Sequence, residues 1–214
     1  MGRPRPLRIR VPSVDTSISY PRLGATDEGY VMFETQEVEV KYQVADLTAL
    51  LSALAQRGVL PACAVRQDDQ AYAEAGWNYG LSKIGVAFAR LRTEGGRHLF
   101  TLKRPMDNEL SCLEYETEVA DREQMHHAII AMGFRPTVRI VKERRTATWG
   151  EVTVCVDDVE HAGVFVELER KVPPGMSGVE VQRTLDGFAR SLGLELRRVT
   201  DTYDTLVRAA SASA

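Results

Sequence analysis

The 214 residues carry a net charge of −3, with 44% hydrophobic and 27% charged side chains. This is an ordinary globular composition with no global attraction to nucleic acid or acidic membranes, so nucleic acid is not an expected partner. Cys63, Cys112 and Cys155 are an odd number without CxxC spacing and support neither a disulfide framework nor a zinc site. No apolar run approaches the roughly 20 residues of a membrane helix. The N-terminus has no apolar signal core, so a cytoplasmic protein without membrane attachment is expected.

Residues 1–33 are rich in Pro and Arg and show no sustained period, which predicts an irregular basic arm with Arg3, Arg5, Arg8 and Arg10 available to an anionic partner. A single domain over 34–208 and a short tail over 209–214 are expected after it. The first strand is predicted over 35–43, where Glu37, Glu39 and Lys41 alternate with Val38, Val40 and Tyr42. A helix follows, capped by Asp46 and stopped by Gly58. Strands are predicted over 63–69, 86–93, 97–104 and 111–119, with "TEGGRH" as a hairpin turn. The segment "AEAGWNYGLSKIG" offers Trp77, Tyr79 and Lys83 either as loop packing or as contacts to an organic group. A second helix runs from Asp121 to Gly133. Strands over 137–146, 149–157 and 163–171 then turn at Gly150 and "VEHAG", and a third helix runs from Ser177 to Gly193. Hairpin-linked strands with few helices predict an antiparallel α+β fold. "EVKYQVAD" and "EYETEVAD" each lead into a helix, with Gly following the Asp by twelve residues in both, which suggests two equivalent halves.

Nearly every predicted strand has one apolar and one charged face. Arg90 and Arg92 share a face, as do Thr101 and Lys103, Glu114 and Glu116, Lys142 and Arg144, and Glu167 and Glu169; Asp157 lies opposite Val154 and Val156. An open sheet would leave these charges in water. Closed into an eight-stranded barrel, it would point them at one axis, where they need pairing. A highly charged ligand with metal ions meets that need, because carboxylates hold hard divalent cations and Lys and Arg clamp phosphate oxygens.

In this order the marks Glu37-x-Glu39-x-Lys41, Gln67-x-Asp69 with Tyr72, Arg90-x-Arg92, Thr101-x-Lys103-x-Pro105, Glu114-x-Glu116, Lys142-x-Arg144, Asp157 and Glu167-x-Glu169 resemble the CYTH superfamily, also called triphosphate tunnel metalloenzymes. That superfamily includes class IV adenylyl cyclases and thiamine triphosphatases. The resemblance implies a closed or nearly closed antiparallel tunnel with a charged interior and flanking helices. It implies Mg²⁺ or Mn²⁺ on Glu37, Glu39, Asp157, Glu167 and Glu169. It implies phosphate contacts from Lys41, Arg90, Arg92, Lys103, Lys142 and Arg144, with Glu114 and Glu116 orienting the basic residues or a second metal. Two departures stand out. Ala71 occupies the place of a first tyrosine before Tyr72, and Asp201-Thr202-Tyr203 stands where many members have a basic residue before Ser-Tyr. Arg197 or Arg198 is the candidate replacement for that charge.

The expected activity is metal-dependent hydrolysis of a nucleoside, thiamine or inorganic triphosphate, with Lys41 helping to activate water if neighbouring cations lower its pKa. Glu37 and Glu39 oppose that shift. A class IV-type adenylyl cyclase and a non-catalytic polyphosphate- or nucleotide-binding module are the alternatives. A second copy of the chain is a candidate partner.

Overall fold

The computed structural model describes residues 36–212. The chain divides into a unit of residues 1–33 and a unit of residues 34–214. The expectations for the basic arm and the last two residues lie outside the described residues.

The elements in order are β1 (Gln36–Gln43), α1 (Leu47–Ala55), β2 (Val65–Glu74), β3 (Phe88–Glu94), β4 (Arg97–Asn108), β5 (Ser111–Val119), α2 (Arg122–Ala131), β6 (Phe134–Trp149), β7 (Val152–Val159), β8 (Gly163–Lys171), α3 (Gly178–Ser191), β9 (Arg197–Val199) and α4 (Tyr203–Ala212). The strand order is β5-β4-β3-β2-β6-β7-β8-β1, and β1 also pairs with β5. The sheet therefore closes into an eight-stranded barrel, antiparallel at every ladder. The closing ladder uses Gln36, Glu37 and Val38, while β9 pairs with Lys41, Tyr42 and Gln43 of the same strand. Among the described residues, no helix is long and apolar enough to cross a membrane.

The predicted helices form for the local reasons read above. The Asp46 carboxylate accepts the Ala49 N–H, Asp121 accepts those of Glu123 and Gln124, and Ser177 and Glu180 make a capping box. Gly58 and Gly133 end the first two helices at φ 73° and 94°, a backbone region costly for residues with a Cβ. The two-fold organisation is real. β1-α1-β2-β3-β4 and β5-α2-β6-β7-β8 are the same arrangement, and the halves meet at the β1–β5, β2–β6, β1–β8 and β4–β5 ladders.

Helices α1 and α3 cover the outer face of β1, β7 and β8, burying Val38, Val40, Val154, Val156, Val166 and Leu168 against Leu50, Leu54, Val181, Leu185 and Phe188. Full burial of each such side chain is worth roughly 1.5–3 kcal/mol. On the other side, Tyr72, Ala89 and Leu91 pack against Ile129 of α2. With the apolar faces turned outward onto helices, the charged faces turn inward.

Three features differ from expectation. Strands β2 and β6 reach well beyond 63–69 and 137–146, because they pair along almost their whole length from Val65–Arg144 to Glu74–Phe134. β9 was not expected. Helix α4 occupies the end of the predicted domain and continues to Ala212, into the stretch read as a tail. Tyr203 and Val207 of α4 pack on Ile140, Val159 and Phe165. Those three face Asp69, Lys142 and Asp157 across their ladders, and directly paired residues share a face of the sheet. Helix α4 thus closes one mouth of the barrel from its inner face.

Candidate active site in the barrel

The inward rows converge on one cavity lined by Glu37, Glu39, Lys41, Arg90, Lys103, Glu114, Lys142, Arg144, Glu167 and Glu169, together with Asp69, Lys83 and Tyr203. Glu37 and Glu169 also line a second hollow, with Glu151 and Lys171. The expected residues Arg92, Asp157 and Glu116 are not among those lining the cavity.

Glu39 and Glu169 face each other across the β1–β8 ladder, as do Lys41 and Glu167. One carboxylate oxygen from each of Glu39, Glu167 and Glu169 lies within 4.8 Å of the others. Burial and then the charge of Glu167 raise the pKa of Glu39; burial and then Glu114 raise that of Glu37. Burial, together with Glu167, Glu39 and Glu37, outweighs Arg144 and pushes Glu169 up to about 7. Glu167 goes the other way. Burial opposes its charge, but Lys41, Arg144 and Lys142 hold it well below the usual carboxylate range. These oxygens are hard donors crowded by mutual repulsion, and a divalent cation relieves that.

Glu169 has a pH consequence. Its folded pKa of about 7 lies above the ordinary 4.5, so the fold favours the neutral acid. The resulting stabilisation is full below about pH 4.5 and is lost as pH rises through about 7. In chelator, Glu169→Gln is therefore expected to melt near wild type at pH 5 and above it at pH 8. Equal melting temperatures at both pH values would contradict this.

Across the cavity, Lys103 Nζ stands 2.6 Å from Glu114 Oε2. The Arg90 guanidinium donates to Thr101 Oγ1 at 2.9 Å and Glu116 Oε2 at 3.0 Å. Its Nε is buried and, among the described residues, has no protein acceptor. Arg90 and Lys103 both line the cavity, and a guanidinium beside an ammonium there suits an anionic oxygen. Glu114 and Glu116 thus hold the basic side chains in place.

Two bidentate pairs stand behind this surface. Arg92 grips Asp69 at 2.7 and 2.8 Å, and Arg144 grips Asp157 at 2.7 and 2.6 Å. Arg92 is buried, and its Nε–Nη2 edge is committed to Asp69. Asp157 is fully buried, held by Arg144, by Lys142 at 3.4 Å and by the Tyr203 hydroxyl at 2.8 Å. It does not line the cavity, where the resemblance implies a metal ligand.

Lys41 sits between two carboxylates. Its ammonium lies 3.3 Å from Glu39 and 3.2 Å from Glu167 and donates to the Asp201 carbonyl at 3.1 Å. Burial alone would lower its pKa, but the two carboxylates raise it. This favours the charged ammonium, as the opposing effect of nearby carboxylates expected from the sequence requires. Lys142 has the opposite shift, lowered by burial and then by Arg144.

Arg197 and Arg198 do not supply the charge expected beside Tyr203. Arg197 binds Gln43, and Arg198 binds Asp186 at 2.5 Å. The cation there is Lys83, from the β2–β3 connection. Its ammonium reaches Thr202 Oγ1 at 2.5 Å, Thr205 Oγ1 at 2.9 Å, and Asp204 and Glu109 at 3.1 Å each. Trp77 and Tyr79 of the same connection pack as loop anchors, on each other and, for Trp77, on Phe88. The sequence reading noted Tyr203 only beside Asp201 and gave it no place in the site; its ring lies 4.3 Å from the Lys41 ammonium and 4.7 Å from that of Lys142. No local pattern marks a tyrosine whose partners come from β1, β6 and β7.

These features define an antiparallel β-tunnel with a charged interior that pairs a carboxylate cluster with facing basic side chains. The CYTH domain model matches residues 35–203, and the chain belongs to the CYTH domain family. A Methanocaldococcus jannaschii protein named "Putative adenylate cyclase" is 32% identical over 85 residues, 39% of this chain. That match spans 49% of the relative, about half its length. Among solved structures, a "putative adenylate cyclase" from Vibrio parahaemolyticus shares the fold at TM-score 0.68 and 18% identity, over 81% of this chain and 98% of its own. A Hippeastrum protein, a "putative adenylyl cyclase" with "a dominant triphosphatase activity", shares it at TM-score 0.55 and 16% identity, over 82% of this chain and 95% of its own.

Proposed function

We propose that this chain is a divalent-metal-dependent enzyme that binds a triphosphate in the barrel and hydrolyses it. The observation that carries this reading is the pairing, within one cavity, of the Glu39–Glu167–Glu169 cluster with Arg90 and Lys103. Anion binding alone needs no carboxylate cluster, and a cation site alone needs no guanidinium and ammonium lining the same cavity. Glu39, Glu167 and Glu169, with Glu37 beside them, would hold Mg²⁺ or Mn²⁺. When bound, the ion supplies positive charge to phosphate oxygens. Arg90 and Lys103 bind and orient the phosphate chain, with Lys41, Lys142 and Arg144 adding positive potential along it.

Cyclisation of ATP to cyclic AMP and pyrophosphate is the second reading, favoured by the name of the Methanocaldococcus jannaschii relative. The Hippeastrum protein's triphosphatase activity favours hydrolysis. The test is a product screen by mass with ATP, GTP, thiamine triphosphate and inorganic triphosphate, each with Mg²⁺ and Mn²⁺. Phosphate release supports hydrolysis, and cyclic AMP with pyrophosphate supports cyclisation. Tight binding without products makes the barrel a binding module.

Arg90→Ala is expected to weaken inorganic triphosphate binding by about 1.5–3 kcal/mol, the usual worth of a hydrogen bond to a charged group. Isothermal titration with melting temperature recorded beside it checks this. Unchanged affinity would remove Arg90 from the phosphate site.

A further inference from the structure

The two halves of the barrel allow a comparison position by position. Aligning "EVKYQVAD" with "EYETEVAD" sets Glu39 on Glu114 and Lys41 on Glu116. The ladders carry the match further. Glu39 faces Glu169 on β8 as Glu114 faces Lys103 on β4, and Lys41 faces Glu167 as Glu116 faces Thr101. The bidentate pairs obey the same relation with acid and base exchanged. Arg92 of β3 grips Asp69 of β2, whereas Arg144 of β6 grips Asp157 of β7. The halves share their geometry and differ in charge.

One exchange bears on ligands. Opposite Glu39, the second half presents the carboxylate of Glu169. Opposite Glu114, the first half presents the Lys103 ammonium at 2.6 Å. The quartet Glu39, Lys41, Glu167 and Glu169 holds three carboxylates and one ammonium, and with Arg144 2.5 Å from Glu167 and 3.4 Å from Glu169 it is still net acidic and offers carboxylate oxygens to a divalent ion. In the other quartet, Glu114 and Glu116 are neutralised by Lys103 and by Arg90, which lies 3.0 Å from Glu116.

We propose that the Lys103 ammonium is a tethered cation standing where the duplicated half would hold a metal ion, so that the barrel takes one divalent cation and lays a polyanion between that ion and Lys103. This rests on the metal reading above. It gives Glu114 and Glu116 the role of holding cationic side chains and assigns them no second metal.

The test is titration of Mn²⁺ into the chelator-stripped full chain without substrate, with free Mn²⁺ read by electron paramagnetic resonance and folding by circular dichroism. Wild type is expected to bind one ion per chain. Glu169→Lys copies the first half into the second and is expected to bind none while staying folded. Lys103→Glu makes the reverse copy and is expected to bind two. Two ions in wild type, one ion retained by folded Glu169→Lys, or one ion in folded Lys103→Glu would each overturn the tethered-cation assignment. No ion in folded wild type would instead overturn the metal reading beneath it. If Lys103→Glu does not fold, wild type and Glu169→Lys decide.

Discussion

Glu39→Gln is expected to lower divalent-metal-dependent turnover at least about 100-fold, the upper end of what losing even an outer-shell partner of a metal ligand costs. Its carboxylate has an oxygen within 4.8 Å of those of Glu167 and Glu169, and Gln keeps the shape while removing the charge a hard cation prefers. The fold should survive. Burial and Glu167 already disfavour the charged form of Glu39, and Lys41 keeps Glu167 at 3.2 Å as its partner. Melting temperature in chelator should therefore hold or rise. Turnover against Mg²⁺ and Mn²⁺ concentration, on the best substrate of the product screen, makes the measurement. Full turnover at all metal concentrations would return Glu39 to a purely structural role.

Arg144→Met is expected to act first on stability. The guanidinium holds Asp157 at 2.6 Å, Glu167 at 2.5 Å and Glu169 at 3.4 Å, and Asp157 and Glu167 are almost wholly buried. Removing one partner of a buried ion pair costs about 3–5 kcal/mol, because the remaining charge is left uncompensated. In a domain of this size that is a fall of roughly 6–20 °C in melting temperature. Lys142 and the Tyr203 hydroxyl also touch Asp157 and soften the loss, so urea unfolding, which reads free energy directly, is the better measurement. A stability within about 1 kcal/mol of wild type, with triphosphate binding lost, would make Arg144 a ligand contact with little structural share. Arg90→Ala is the internal contrast. Arg90 pairs with Glu116 nearer the surface, where a lost ion pair costs about 1 kcal/mol or less.

The helix caps, the glycine stops and the strand faces were legible because each depends on residues close in the chain. Asp46 and Asp121 cap helices that begin at the next residue. The alternation of Glu37, Glu39 and Lys41 with Val38, Val40 and Tyr42 follows from the two-residue period of a strand. Most cavity-lining side chains were legible in the same way, since closing the barrel sends a whole charged face to one axis. The α4 run "YDTLVRAASA" was not legible, because its place depends on Tyr203 and Val207 finding Ile140, Val159 and Phe165 at the barrel mouth.

The sequence by itself determined an antiparallel α+β chain in two similar halves, with one face of each strand rich in charge and an ordered set of acidic and basic positions. Tertiary structure decided what each charge does. Arg92 is committed to Asp69 across 23 residues of chain, and Asp157 is enclosed by Arg144, Lys142 and Tyr203. Lys41 is held toward its charged form by Glu39 of its own strand and by Glu167, which β8 brings opposite it. Which face a residue takes follows from a local period. Which partner a charge meets, and how much water it keeps, follows from ladder register between strands distant in sequence, and burial then turns those few ångströms into a choice between a ligand contact and a structural ion pair.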